Sequence, residues 1–196
     1  MSEIGVHRPG SGREVVETID RPIGRRRSDR IVGAARATQE IVDQAMAAAR
    51  ADLPVVITGP EGSGKEHTAR AIHAWSDRAA QPFVTVSCAT TPEPLLAREL
   101  FGCGAGAYPL HPGEYTGALA RAAGGTLLVG RIDRMPAPVL QAFVEAVRRQ
   151  SFRREGDRTS IPLRARVVVT SIVQPETSPL GDVPQHTIRV APISEG

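Results

Sequence analysis

The stretch with the clearest chemistry is the octapeptide Gly-Pro-Glu-Gly-Ser-Gly-Lys-Glu at residues 59–66. It fits the pattern G-x-x-x-x-G-K, in which glycines let backbone N–H groups face phosphate oxygens and the lysine adds a full positive charge. The mostly apolar residues 53–58 predict a buried parallel strand before it. Residues 67–75 contain no Gly or Pro and predict a helix, whose N-terminus favours anions. This order indicates a nucleotide-phosphate site.

We expect the whole loop to contribute to that site. Its members are Gly59, Pro60, Glu61, Gly62, Ser63, Gly64, Lys65 and Glu66. The alternative is a glycine-rich turn that binds nothing. Against it, Lys65 is the only lysine among 24 lysine and arginine residues, and it stands where a compact ammonium group suits a phosphate. Glu66 occupies the place of the usual Ser or Thr, whose hydroxyl helps to hold magnesium.

Length and composition bound the remaining possibilities. The 196 residues, 41% of them hydrophobic, predict one globular domain with short tails. A net charge of +3 is too mild to indicate nucleic-acid binding, and 4% aromatic content argues against base-stacking platforms. Cys88 and Cys103 form neither a disulfide framework nor a metal-binding spacing, which is typical of a cytoplasmic protein. The sequence predicts neither a signal peptide nor a membrane span.

The two ends of the chain differ from its centre. Residues 1–29 are rich in arginine and lack apolar periodicity, so we predict a disordered basic tail; a nucleic-acid contact through residues 24–27 is the alternative. Residues 30–193 form the predicted core, and residues 194–196 a short C-terminal tail.

Helical and strand patterns alternate along the core. Helices are predicted at 38–51, with Thr38 as N-cap, and at 92–101 and 137–150. Further strands are predicted at 82–88, 124–129, 165–170 and 187–190. Such alternation after a phosphate loop predicts an α/β fold with a parallel central sheet in three layers.

Several segments in the same order resemble one known family. They are Ile31-Val32-Gly33, the loop at 59–66, residues 69–73 and 82–88, Glu99-Leu100-Phe101-Gly102, and Gly124-Gly125-Thr126-Leu127. The combination resembles the sigma-54 interaction domain, the AAA+ ATPase core of bacterial enhancer-binding transcription activators.

The resemblance implies a P-loop NTPase sandwich that binds ATP or ADP, with Ile31 and Val32 flanking the adenine. It also implies contact with sigma-54 RNA polymerase or with a full-length activator of the same family. Glu after the loop lysine is normal in that family.

The departures from the family concern catalysis. The third strand of the family ends in Asp-Glu, which orients magnesium and activates water, whereas this chain has Gly130-Arg131. Because phosphoryl transfer depends on charge neutralisation, a cation there reverses the local field. Asp133 could substitute only if the strand end were rearranged. We therefore expect a degenerate site that holds Mg²⁺ weakly or not at all and has no metal-ligand set.

Three further departures follow. Ser87-Cys88 replaces the Asn-Cys of the family, and Ser171-Ile172 replaces its Thr-Asn. The family presents arginine fingers before its fifth strand, but no arginine occurs between Arg166 and Arg189. Residues 190–195 resemble the segment that leads into the helical lid, so the resemblance implies a core without a lid and without its own DNA-binding domain.

The loop that would contact sigma-54 has two possible registers. Counting without gaps places it at residues 106–111, with Tyr108 and Pro109 at its centre, and we favour this register. Residues 113–118, with Tyr115 and Thr116, match the family motif better in letters but leave few residues before the next strand.

Taken together, the residues predict an ATP-binding regulatory module of transcription that does not hydrolyse ATP. The rival hypothesis is an active ATPase completed by a partner subunit that supplies acid and arginine. A third hypothesis is a remnant domain that binds neither nucleotide nor polymerase.

Overall fold

A computed structural model describes residues 36–107, 113–173 and 178–191. Several predictions lie outside these residues: the basic tail 1–29, the adenine-flanking Ile31 and Val32, the loop residues Tyr108 and Pro109, and the C-terminal tail. The helices are α1 (Arg36–Arg50), α2 (Lys65–Trp75), α3 (Glu93–Phe101), α4 (Ala118–Arg121) and α5 (Ala137–Arg149). The strands are β1 (Val55–Thr58), β2 (Phe83–Ser87), β3 (Gly102–Cys103), β4 (Tyr115–Thr116), β5 (Thr126–Gly130), β6 (Ser151–Arg153), β7 (Ser160–Pro162), β8 (Arg166–Ser171) and β9 (His186–Arg189).

Five of these strands form a parallel sheet in the order β2-β5-β8-β1-β9. β1 lies between β8 and β9, and Thr58 at its end pairs with Ser171 on one side and Arg189 on the other. The carboxyl ends of the strands therefore meet at one edge of the sheet, where the segment after β1 begins. The predicted parallel α/β fold is confirmed.

Alternate residues of each central strand enter two separate cores. Leu127 and Val129 of β5 pack with α3, α4 and α5 on one face, while Leu128 packs with α1 and α2 on the other. β8 divides in the same way, with Val167 and Val169 on the first face and Val168 on the second. Both faces of a parallel sheet are covered, which explains its continuous apolar strands and gives the predicted three layers.

The boundaries of the predicted elements shift by at most two residues, and one predicted cap is wrong. α1 begins at Arg36, so Thr38 lies inside the helix and is not its N-cap. No sequence pattern marks the two short antiparallel hairpins, β3 with β4 and β6 with β7. Strands of two or three residues are too short for alternation to show.

In the part of the chain that the structure describes, no helix is long and apolar enough to cross a membrane.

Candidate functional site

The loop of residues 59–66 starts at the carboxyl edge of the sheet, and neighbouring strands hold its first residue. The N–H of Gly59 donates to the carbonyl oxygen of Ser171 at 3.2 Å. A Cβ at Gly59 would lie 2.3 Å from the carbonyl oxygen of Val190. Only glycine fits so close an approach, so this residue fixes the path of the loop between β8 and β9.

The other end of the loop becomes the N-terminus of α2. Gly64 is the N-cap with φ 86°, a left-handed conformation that suits glycine, and it has no side chain to cap the helix. The N–H of Ser63 donates to the carbonyl oxygen of Pro60 at 3.3 Å. The Ser63 hydroxyl is buried with no hydrogen-bond partner among the described residues. Uncapped N–H groups and the helix dipole make this end suitable for an anion.

The side chain of Lys65 folds back over the loop. Its Nζ donates to the carbonyl oxygens of Gly59 at 2.8 Å and Pro60 at 2.5 Å, and the residue is only 8% exposed. Burial lowers the pKa of Lys65, and the positive charge of Arg131 lowers it further. The ammonium group is therefore held inside the loop at some electrostatic cost, which an incoming anion would relieve.

Arg131 directly follows β5 and reaches the same loop. Its backbone is left-handed, with φ 58°, and its N–H donates to Thr170 Oγ1 at 3.2 Å. The guanidinium bridges two carboxylates: Nη1 lies 2.7 Å from Glu61 Oε1, and Nη2 lies 3.1 Å from Asp133 Oδ2. Since Glu61 belongs to the loop, this ion pair joins the end of β5 to the phosphate loop.

Asp133 lies in a 3₁₀ turn at Ile132–Arg134 and is already engaged. Its carboxylate accepts hydrogen bonds from the Arg131 side chain and, at 3.3 Å, from the N–H of Ile172. Burial opposes its ionisation, but the bonds from Arg131 and Ile172 outweigh burial, and the pKa of Asp133 lies below its ordinary value. The carboxylate therefore stays ionised and neutralises Arg131.

Gly130 lies beside the start of α2. A Cβ at this position would stand 3.8 Å from Glu66 Oε1 and 3.7 Å from the carbonyl oxygen of Val86, which is ordinary contact. The position has room for a side chain, yet it carries none. At the end of β5, Gly130 therefore leaves space beside Glu66, and the next residue, Arg131, brings a guanidinium group to the loop that contains Lys65.

The residues around the loop fit a magnesium ion poorly. Mg²⁺ needs octahedral oxygen ligands that include carboxylates or hydroxyls free to bind it. Here Arg131 brings a like charge to the space beside the loop, and the carboxylate of Asp133 is taken by hydrogen bonds.

The other two degenerate positions face the same edge of the sheet. The thiol of Cys88 is 7% exposed, and burial, with the charge of Asp133, raises its pKa to about 11. Such a thiol stays protonated and unreactive at neutral pH. At the end of β8, the hydroxyl of Ser171 donates to the carbonyl oxygen of Val173, and Ile172 contributes only its N–H to Asp133.

Tyr115 and Thr116 form β4 and pair with β3 next to the end of α3. The Tyr115 hydroxyl donates to Glu99 Oε2 at 2.5 Å, and the guanidinium of Arg98 lies 4.9 Å from the centre of the ring. Tyr115 is half-buried, whereas Thr116 is exposed. Through these contacts the hairpin connects residues 113–117 to the end of α3, where the segment Glu99-Leu100-Phe101-Gly102 lies.

Sequence reasoning found the loop and the odd residues at 130–131 but missed the ion pair between them. Glu61 occupies a variable position of the loop pattern, so nothing in that pattern marks it. The one available signal was charge: an acidic residue in a loop predicted to bind anions, and a basic residue where acids are expected.

The chain matches the family model of the sigma-54 interaction domain over residues 31–180. It is 33% identical over 152 residues to the transcriptional regulator VasH of Vibrio cholerae. This match covers 78% of this chain and 29% of VasH. It is 35% identical over 128 residues to the transcriptional regulatory protein GlrR of Escherichia coli, covering 65% of this chain and 29% of GlrR. The chain thus spans about three tenths of the length of these curated relatives.

Solved structures of NtrX from Brucella abortus are also similar. The complex with ADP matches with a TM-score of 0.70 at 28% identity, covering 83% of this chain and 38% of NtrX. The complex with ATP matches with the same TM-score at 29% identity.

Proposed function

Since the chain belongs to the sigma-54 interaction domain family, we propose that it binds ATP or ADP through residues 59–66, does not hydrolyse ATP, and acts in the regulation of transcription. The observation that carries this proposal is the environment of Arg131. A guanidinium paired with Glu61 of the loop stands where the family has the acidic pair that serves hydrolysis.

Binding is supported by the loop and by a relative. Lys65 and the N–H groups of Gly62, Ser63 and Gly64 would hold the phosphates, and Ile31 and Val32 would flank the adenine. The uncapped start of α2 and the buried ammonium of Lys65 both favour an anion. NtrX, at a TM-score of 0.70, has been crystallised with ATP and with ADP.

The absence of turnover follows from charge and position. Hydrolysis needs a carboxylate that orients the attacking water and cations that neutralise the transferred phosphoryl group, both held in place. Gly130 brings no carboxylate, and that of Asp133 is bound to Arg131 and to the Ile172 N–H. No arginine occurs between Arg166 and Arg189, and an arginine finger is worth ~10³–10⁵ in rate where it operates.

A module without turnover acts by binding alone. Its partner would be sigma-54 RNA polymerase or a full-length activator of the same family, in the cytoplasm, where transcription takes place. A bound ligand shifts an equilibrium only by its differential affinity for the two states, so this domain can block or bias a partner but cannot drive it through a cycle. Tyr115 and Thr116, and in the other register Tyr108 and Pro109, are the proposed contact residues.

Two measurements test the proposal. Calorimetric titration with ATP should show saturable binding that Lys65→Ala weakens at least tenfold, because a charge-assisted contact is lost. No heat at millimolar ATP would favour a remnant domain that binds nothing.

An open-complex assay on a sigma-54 promoter tests the regulatory role. With this chain as sole activator no open complexes should form, and in excess over a full-length activator it should inhibit. ATP-dependent open complexes with this chain alone would overturn the proposal and favour an active ATPase.

A further inference from the structure

The space beside the phosphate loop holds two cations of the protein itself. Lys65 lies within the loop, and the guanidinium of Arg131 reaches it from the end of β5, since Nη1 lies 2.7 Å from Glu61 Oε1. The side chain of Arg131 is 18% exposed, so it is partly shielded from solvent while it faces the loop. A tri- or diphosphate in the loop would therefore meet two positive side chains.

Arg131 is held in place by contacts that do not involve the loop. Its N–H donates to Thr170 Oγ1 at 3.2 Å, and Asp133 Oδ2 accepts from both Nε and Nη2 at 3.1 Å. Asp133 is in turn fixed by the Ile172 N–H. These bonds orient the guanidinium and leave Nη1 directed at the loop, so the arginine is preorganised for an acceptor there.

Resting on the proposed function, we propose that Arg131 is a phosphate ligand that takes the place of a divalent metal ion, so that ATP and ADP bind here without Mg²⁺. The guanidinium is always charged, and its planar fork matches phosphate oxygens. The guanidinium of Arg131 disfavours a metal ion beside the loop, and it supplies to the phosphates the positive charge that the ion would have supplied.

Glu61 then acts as an internal competitor for that guanidinium. The carboxylate of Glu61 accepts a hydrogen bond from Nη1 of Arg131, and the glutamate side chain is 76% exposed, so the bond is screened and easily exchanged. A phosphate oxygen carries more charge and displaces it. Binding therefore requires Glu61 to swing into solvent, while Asp133 keeps its hold on Arg131.

The first experiment compares affinities of the wild-type chain for ATP and ADP, by calorimetry, in excess EDTA and in millimolar MgCl₂. We expect the dissociation constant to change by no more than about threefold between the two conditions. Binding that disappears in EDTA would overturn the inference and leave the proposed function intact. No binding in either condition would overturn both.

The second experiment uses a cycle of variants in EDTA. Arg131→Gln should weaken ATP binding by about tenfold to a hundredfold, the range for a lost charged hydrogen bond. Glu61→Gln should tighten it by about two- to fivefold, because the competitor is an exposed ion pair of small strength. In the Arg131→Gln background, Glu61→Gln should have a smaller effect, because only its direct repulsion of the phosphates is then removed.

The chain offers a matched control pair at a distance from the loop. Arg148, in the last turn of α5, also bridges two carboxylates: Nη1 lies 3.0 Å from Glu145 Oε2, and Nη2 lies 2.5 Å from Asp182 Oδ1. Arg148→Gln and Asp182→Asn make the same charge changes and should leave ATP affinity unchanged. Equal effects at the two pairs would mean that net charge alone acts, and would overturn the role of Arg131.

Discussion

The ammonium group of Lys65 donates a hydrogen bond of 2.8 Å to the carbonyl oxygen of Gly59, six residues earlier in the same loop. It donates a second hydrogen bond to the carbonyl oxygen of Pro60. The lysine side chain thus stabilises the turn of the loop that we expect to bind phosphate. The loop is therefore preformed, and phosphate would exchange carbonyl partners of the ammonium for anionic oxygens. Preorganisation of this kind limits the entropic cost of binding.

Replacement of Lys65 by methionine should separate binding from stability. Because burial disfavours the charged ammonium in the folded chain, we expect Lys65→Met to unfold at a temperature at least as high as the wild type. ATP affinity should fall at least tenfold. Thermal unfolding followed by circular dichroism, beside a calorimetric titration, measures both. A less stable variant would mean that the two carbonyl bonds outweigh burial.

Asp133 should contribute a pH-dependent part of the stability. Its pKa in the folded chain is lowered, so its contribution is present above the unfolded value of about 3.8 and is lost as pH falls through the folded value. Asp133→Asn keeps an acceptor for the Ile172 N–H but removes the charge. We expect its melting temperature to be lower than wild type by about 2–4 °C at pH 7, with the difference shrinking below about pH 4. A difference independent of pH would contradict this.

Tyr115 should stabilise the β3–β4 hairpin through its hydroxyl. Tyr115→Phe removes the bond to Glu99 but keeps the ring beside Arg98, so we expect urea denaturation to show a loss of about 1 kcal/mol in free energy of unfolding. Thr116→Ala, at the exposed neighbour, is the control and should change stability little. If Tyr115→Phe is as stable as wild type, the hydroxyl is available for a partner instead.

Rebuilding the acidic pair should create metal dependence without turnover. Gly130→Asp places a carboxylate close to Glu66, whose Oε1 would lie 3.8 Å from the new Cβ, and Arg131→Glu faces Glu61 and Asp133. Repulsion among these carboxylates should weaken ATP binding in EDTA, and Mg²⁺ should restore it. Because catalytic groups acting as a unit are not additive, we expect no ATP hydrolysis. Affinity with and without Mg²⁺, and phosphate release, measure the two effects.

The layers of the fold were predictable because each central element carries its own signal. Continuous apolar runs such as residues 127–129 and 167–169 belong to strands covered on both faces, and the G-x-x-x-x-G-K pattern indicates where the sheet edge with the loop lies. Thr38 was misplaced as a cap because helix propensity extends two residues before it. Short hairpins such as β3 with β4 depend on tertiary contacts of Tyr115 that no local pattern records.

The candidate site was predictable in its parts but not in its connections. Lys65, Gly130 and Arg131 stand out by residue type at known spacings. The pairing of Arg131 with Glu61 joins residues 70 positions apart, and its geometry depends on a left-handed backbone at an arginine. The sequence shows that position 131 carries an arginine where the family has a carboxylate, whereas only the structure shows that this arginine pairs with Glu61.

The fate of bound ATP is the most direct test of whether this domain hydrolyses the nucleotide. The full chain would be incubated with stoichiometric ATP and MgCl₂ for one hour, the complex isolated by rapid filtration, and the nucleotide in both the complex and the filtrate identified by chromatography, with Lys65→Ala as the control for contaminating activity. We predict that the nucleotide is retained by the wild type alone and is recovered as ATP. Conversion to ADP and phosphate by the wild type, absent from Lys65→Ala, would contradict the central claim that this domain binds ATP without hydrolysing it.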